Sequence, residues 1–186
     1  MFVTCFTKNG DLLSQWRGYC GPEAGCSVGW AGITLKAAAH QAGFLLAPCI
    51  YERDRQRRLV QELLNAFSES PKSEKDIDYF LNVLLSFIAP LFKNPSFEEE
   101  DEWRLFTRPG LRKTPPVRFR PGKATIIPYA QVPLQSAKAR LADIERLVVG
   151  PTTLLGLSTQ AIRTCLTSAG VNVKDVVPSA APYRRL

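Results

Sequence analysis

The stretch from Glu52 to Ile88 constrains this chain more than any other. Leu59, Val60, Leu63, Leu64 and Phe67 recur at helical spacing and predict an amphipathic helix over Glu52–Phe67. Pro71 breaks it. Ser73, with Asp76 three residues on, forms the start signal of a second helix, whose apolar stripe is Ile77, Phe80, Leu81, Leu84, Leu85 and Ile88. Two consecutive amphipathic helices predict a packed pair. The segments on both sides have the composition and period of strands, so the pair must sit within a fold that also builds a sheet. That excludes an all-helical bundle and points to α+β.

Strands are expected at Phe2–Thr7, Cys26–Ala31, Phe44–Tyr51, Val117–Arg120, Ala124–Leu134 (interrupted by Pro128), Ile144–Val149 and Val171–Val177. Phe44–Tyr51 is nearly all apolar, which predicts a central strand buried on both faces. Gly29 lies inside the second strand, where a neighbour can approach the backbone. Helices are expected at Leu12–Tyr19 with Asp11 as N-cap, at Ile33–Gln41 closed by Gly43, and from Thr152 or Thr153 to Ser168 closed by Gly170. No linker divides the chain. The expected architecture is one α+β domain spanning 1–186. It has a mixed, mostly antiparallel sheet, a central pair of amphipathic helices and a C-terminal helix.

The chain has 186 residues, enough for a full core, and a formal net charge of +7. That excess suits an anionic small molecule or a nucleic acid as partner. The basic residues are dispersed, however, with no recognition helix or RNA-binding aromatic signature. Five cysteines without a CxxC argue for reduced, mostly buried thiols in a cytoplasmic protein and against a zinc site. No apolar run reaches the length of a membrane span, and no secretory leader opens the sequence. The single histidine, His40, lies near a helix end without the partners of a nucleophilic triad.

The acidic run Glu98-Glu99-Glu100-Asp101-Glu102 leads directly into Trp103-Arg104-Leu105. If it forms a strand, Glu100, Glu102 and Arg104 share one face, and Asp101, Trp103 and Leu105 the other. One reading is a charged strand edge. The other is a carboxylate site fixed by Arg104. The tail Pro182-Tyr183-Arg184 has two readings as well: a C-terminal clamp pairing Arg184 with Glu100 or Glu102, or a ligand contact.

Several of these residues stand in a recognisable order. Asp11-Leu12-Leu13-Ser14-Gln15-Trp16-Arg17-Gly18-Tyr19 follows a strand, and a glycine-bearing strand comes next. Then come Lys93, Phe97 and Glu100-x-Glu102-Trp103-Arg104, later Ile144–Pro151, and finally Ser179-x-x-Pro182-Tyr183-Arg184. The pattern resembles the bacterial family known as domain of unknown function 2971. Members of that family open with a Leu-Tyr-His-Tyr-Thr-like segment that this sequence lacks, and that opening is similar to the first strand of ADP-ribosyltransferase-like folds. The resemblance implies Glu102 or Glu100 as catalytic carboxylate and NAD as substrate. It implies Trp16 and Tyr19 as an aromatic wall and Arg104 or Arg184 as phosphate contacts. The residues of the Asp11–Tyr19 stretch have two readings of their own: a capped helix whose Trp16 fills the core, or Asp11, Gln15 and Arg17 lining a pocket mouth, with Tyr183 a further candidate ligand contact. No metal is implied.

Two classes of function follow. One is an ADP-ribosyltransferase-like or NAD-cleaving effector of a bacterial defence system. The alternative is a non-catalytic module binding an anion, a nucleic acid or a protein, or an inactive remnant that has lost its opening strand.

Overall fold

The computed structural model describes residues 1–20, 25–68, 73–107, 116–134 and 144–182. Its strands are β1 Val3–Thr7, β2 Cys26–Trp30, β3 Phe44–Pro48, β4 Glu102–Thr107, β5 Val117–Pro121, β6 Ile126–Ala130, β7 Ile144–Val149 and β8 Val173–Pro178. Its helices are α1 Leu13–Tyr19, α2 Gly32–Gln41, α3 Arg53–Ser68, α4 Glu74–Val83 and α5 Leu155–Ser168. The α+β class is the one expected, and each expected helix and strand has a counterpart; β4, which the sequence raised only as a condition on the acidic run, is added to them. The strands form three small sheets in place of one: β1-β4-β3, β2-β7-β8 and β5-β6. All pairings are antiparallel except β7 with β8, which are parallel and joined through α5.

The chain falls into two compact units, and each is made of two sequence segments. The first takes the described parts of Met1–Lys8 and Ala39–Pro133; the second takes those of Asn9–Ala38 and Leu134–Leu186. The crossings fall at residues 8/9, within α2 and at 133/134, with no composition shift to mark them.

In the first unit, Ala39, Phe44 and Leu105 form a core patch, joined by Phe2, Phe6 and Leu46. β4 is the middle strand. β3 was expected to be central, yet it pairs with β4 alone among the described strands, and its inner residues are only half-buried. A run of apolar residues cannot distinguish a central strand from an edge strand that is partly covered by other elements.

From β3 the chain enters an αα-hairpin. Ser73 caps α4 as expected: its side chain accepts from the Asp76 N–H, and the Asp76 carboxylate accepts from the Ser73 N–H. Phe67 of α3 stacks on Phe80 of α4 at 4.5 Å between centroids. After Val83 the helix widens into a π turn over Leu84–Ile88, then tightens into a 3-10 turn over Ala89–Leu91. Pro90 accounts for the change, because it has no N–H to give and its ring crowds the carbonyl four residues back. The base of the hairpin is closed by a parallel bridge between Ile50 and Phe92. Gln56 Nε2 closes it as well, donating to the carbonyls of Ile50 (2.6 Å) and Lys93 (2.9 Å).

The β5–β6 ribbon turns at Gly122, whose N–H donates to Thr125 O at 2.9 Å. Alternation from that bond places Pro121 and Pro128 at positions that make no ladder bond, so neither costs one. Both prolines instead remove donors from the ribbon's outer edges, which discourages further strand pairing.

In the second unit, Leu147, Val149 and Val176 form the core, with Val28 from β2 and Leu155, Ile162 and Leu166 from one face of α5. Gly29 has the expected close neighbour: a Cβ there would lie 3.3 Å from the Arg146 carbonyl of β7, beside a register shift. α2 and α5 end on Gly43 (φ 79°) and Gly170 (φ 64°), as their glycines predicted. The N-caps differ from expectation. α1 is preceded by Leu12 with no side-chain cap, and α5 by Leu154, likewise uncapped. Among the described residues no helix is long and apolar enough to cross a membrane.

Candidate functional site

The acidic run does not continue as a strand. Asn94 accepts from the Ser96 N–H and starts a 3-10 helix over Pro95–Glu100, with Pro95 in its first turn. The helix ends at Asp101, which takes the left-handed conformation (φ 39°) that Asp tolerates better than most residues. The chain then enters β4 at Glu102. Glu100 therefore does not share a strand face with Glu102, as the alternation had implied. The two carboxylates meet by a different route, at Lys93. The Lys93 ammonium donates to Glu100 Oε2 at 2.5 Å and to Glu102 Oε2. It also lies 5.1 Å from the centre of the Phe97 ring.

Glu102 is 4% exposed, and each of its oxygens is engaged by a cation. Oε1 accepts from Arg104 Nε at 2.6 Å, and Arg104 Nη1 donates to Pro90 O at 2.7 Å. Cys5, the register partner of Arg104 on β1, adds a thiol hydrogen bond to the same carboxylate. The backbone is pinned too: the Glu102 N–H donates to the Tyr51 hydroxyl at 2.8 Å, and Glu102 O accepts from the Cys49 N–H at 2.8 Å. Burial alone would raise the Glu102 carboxyl. Hydrogen bonds from Arg104, Cys5 and Lys93 outweigh it and hold the group at about 2, down from 4.5. Burial opposes the charge on Lys93 as well, yet Glu100 and Glu102 keep the ammonium protonated well above its ordinary range. The Cys5 thiol is pushed up to about 11, first by burial and then by Glu102.

Nothing in the sequence marks Lys93, Cys5 or Tyr51 as partners of these carboxylates. Lys93 and Phe97 carried the family resemblance, but the sequence offered no sign that the lysine would gather both carboxylates. Arg184 was a rival partner for Glu100 and Glu102. Arg184 and Tyr183 lie outside the described residues.

The remaining expected contacts belong to the second unit and form a cluster of their own. Asp11 does not cap α1. Its carboxylate accepts from Trp16 Nε1 at 2.7 Å, from the Ser179 hydroxyl, and from the Ala180 N–H at 2.7 Å. Ser179 Oγ in turn accepts from the Ala181 N–H at 3.0 Å. Asp11 thus ties α1 to the segment after β8. Burial works against its charge, but the three donors leave its carboxyl below the usual range. Trp16 is 6% exposed and packs against the backbone at Gly150, where a Cβ would come within 3.0 Å of the ring. Gln15 is half-buried, while Arg17 and Tyr19 are exposed, Tyr19 at 80%.

The β5–β6 ribbon carries a third group. Arg118 and Arg120 lie on one face of β5, opposite Tyr129 and Ile127, with Lys123 at the turn. All three basic residues are exposed, and none has a carboxylate partner among the described residues. The other face presents Phe119, 68% exposed, and Ile126, 67% exposed.

The thiols are free among the described residues, and only Cys49 is buried, which corrects the expectation of mostly buried cysteines. His40 is exposed in the last turn of α2. Among the described residues no three His, Cys, Asp or Glu groups are placed to hold a metal ion. No curated protein and no solved structure matches this chain. Residues 15–105 match the family model described as Protein of unknown function (DUF2971), which supports this chain as a member of that family.

Proposed function

We propose that this chain is a non-catalytic binding module for a nucleic acid, with the β5–β6 ribbon as its contact surface. The observation that carries the reading is the unpartnered basic face of that ribbon. Arg118, Arg120 and Lys123 are exposed without carboxylates, on a two-stranded element of the width the DNA major groove admits. Tyr129, cross-strand from Arg118, supplies a ring beside the cations. The net charge of +7 acts in the same direction at longer range.

In this reading the Glu102 cluster is a frame. Its carboxylate is already neutralised by Lys93 and Arg104 and its side chain is 5% exposed, so its charge is spent within the fold. The cluster holds β4 against β1 and against the base of the hairpin.

Binding of labelled DNA and RNA duplexes, titrated across salt, tests this. The expected result is a log–log salt slope of roughly −0.9 per phosphate neutralised. Arg118→Gln with Arg120→Gln should flatten that slope by about 2 and weaken binding to all sequences alike. No retention of either duplex at low salt removes the reading.

A second reading keeps NAD-directed catalysis, and Glu100 favours it. Its side chain is 21% exposed and has Lys93 as its one cation partner among the described residues. In an ADP-ribosyltransferase-like role, Glu100 would face the ribose while Glu102 fixes Lys93. NAD consumption by the purified chain, abolished in Glu100→Gln, would support it. Equal turnover in both proteins, or none in either, rules it out.

A further inference from the structure

The α3–α4 hairpin has an apolar face that nothing in the described structure covers. Neither helix has a fully buried residue, although both carry apolar stripes. Part of each stripe closes the seam between them, where Phe67 meets Phe80. The rest faces outward. Ile77, Leu81 and Leu85 recur every four residues along α4 and its π turn, with exposures of 44%, 44% and 62%. On α3, Leu64 is 43% exposed. Leaving such a row in water forfeits most of the burial energy each side chain could contribute.

The charges flanking these rows identify what fits there. On α3, Arg53 and Arg57 share the helical face of Val60 and Leu64, and both sit at the base of the hairpin. On α4, Glu74 and Asp78 share the face of Ile77, Leu81 and Leu85, and both sit at the tip. The 16 residues of α3 separate base from tip by about 24 Å, too far for these groups to meet within one chain.

We propose that the hairpin is a self-association surface on which two copies of this chain pair antiparallel as a four-helix arrangement. A dyad perpendicular to the hairpin lays the basic base of one copy over the acidic tip of its partner, and the leucine rows against each other. A parallel arrangement would stack arginine on arginine, which the charges oppose. The pairing has the near-parallel packing of helix bundles and repeats each contact twice.

The test is the mass of the full chain by light scattering and sedimentation velocity, at concentrations up to roughly 100 μM, where a micromolar Kd fills the dimer. Twice 20.7 kDa is expected. Leu81→Asp should give monomer with unchanged helical circular dichroism. Arg53→Glu with Arg57→Glu should weaken the dimer tenfold or more. Mixing that protein with one carrying Glu74→Lys and Asp78→Lys should restore a heterodimer. If Leu81→Asp unfolds the hairpin, the charge-swapped pair decides alone. A wild-type monomer overturns the proposal, including one that co-sediments with anionic vesicles. A dimer indifferent to the charge swap overturns it too.

Discussion

Arg104 donates through Nε to Glu102 Oε1 at 2.6 Å, two residues away on the same face of β4. Adjacent positions on one strand face hold the two side chains almost side by side, so little extra ordering is needed to bring them together. Lys93 then completes the neutralisation from a different segment. A carboxylate in this position stabilises the fold only while its cations remain.

Glu102→Ala should therefore destabilise the chain by about 3–5 kcal/mol, the usual cost of leaving buried ionic partners unpaired. The side chain is 5% exposed, so water cannot take its place readily. Urea unfolding followed by tryptophan fluorescence measures this. A loss below about 1 kcal/mol, the size of a surface ion pair, would show that the cluster is open to solvent.

The same carboxylate makes stability depend on acid. Its folded value of about 2 lies below its ordinary value of 4.5. The contribution is complete above the unfolded value and drains away as pH falls from 4.5 through 2. Asp11 is lowered too, so it adds to the slope in the same direction. Stability of wild type and Glu102→Gln measured between neutral pH and pH 2.5 should converge on the acid side. Parallel curves throughout would mean that Glu102 titrates normally in the folded state.

Cys5 is exposed as a residue, but its thiol lies against Glu102. With its value raised from 9.0 to about 11, it holds roughly 100-fold less thiolate than an ordinary thiol at pH 8. Alkylation at pH 8, read by mass spectrometry, should label Cys5 far more slowly than the exposed Cys165. Glu102→Gln should speed the labelling of Cys5. Equal rates at both cysteines in the wild type would contradict the contact.

In the second unit, Asp11→Ala leaves the Trp16 indole N–H and the Ala180 N–H without their acceptor. About 1–3 kcal/mol should be lost, chiefly for the indole N–H of buried Trp16 and the hydroxyl of buried Ser179, since water can replace the acceptor at the exposed Ala180 N–H. Asp11→Asn should cost less, because its carbonyl can still accept. Thermal melts of the two variants check the order. If both melt with the wild type, Asp11 is a surface residue and not a tie between α1 and the segment after β8.

The amino-acid order alone determined the elements. Helical periods, strand alternation, the Ser73–Asp76 capping box and the closing glycines at 43 and 170 act over a few residues, so they can be read directly from neighbours in sequence. The acidic run stood out from its basic surroundings for the same reason. Its shape was not, because Asp101 reverses the backbone inside it. Tertiary structure alone decided which strand lies in the middle, where the chain divides into units, and which cation holds Glu100 and Glu102. Lys93 reaches Glu102 because the bridge between Ile50 and Phe92 delivers it there. Asp11 meets Ser179 across 168 residues of chain. Long-range pairings of this kind depend on how whole elements bury their apolar faces, and no local pattern of residues records them.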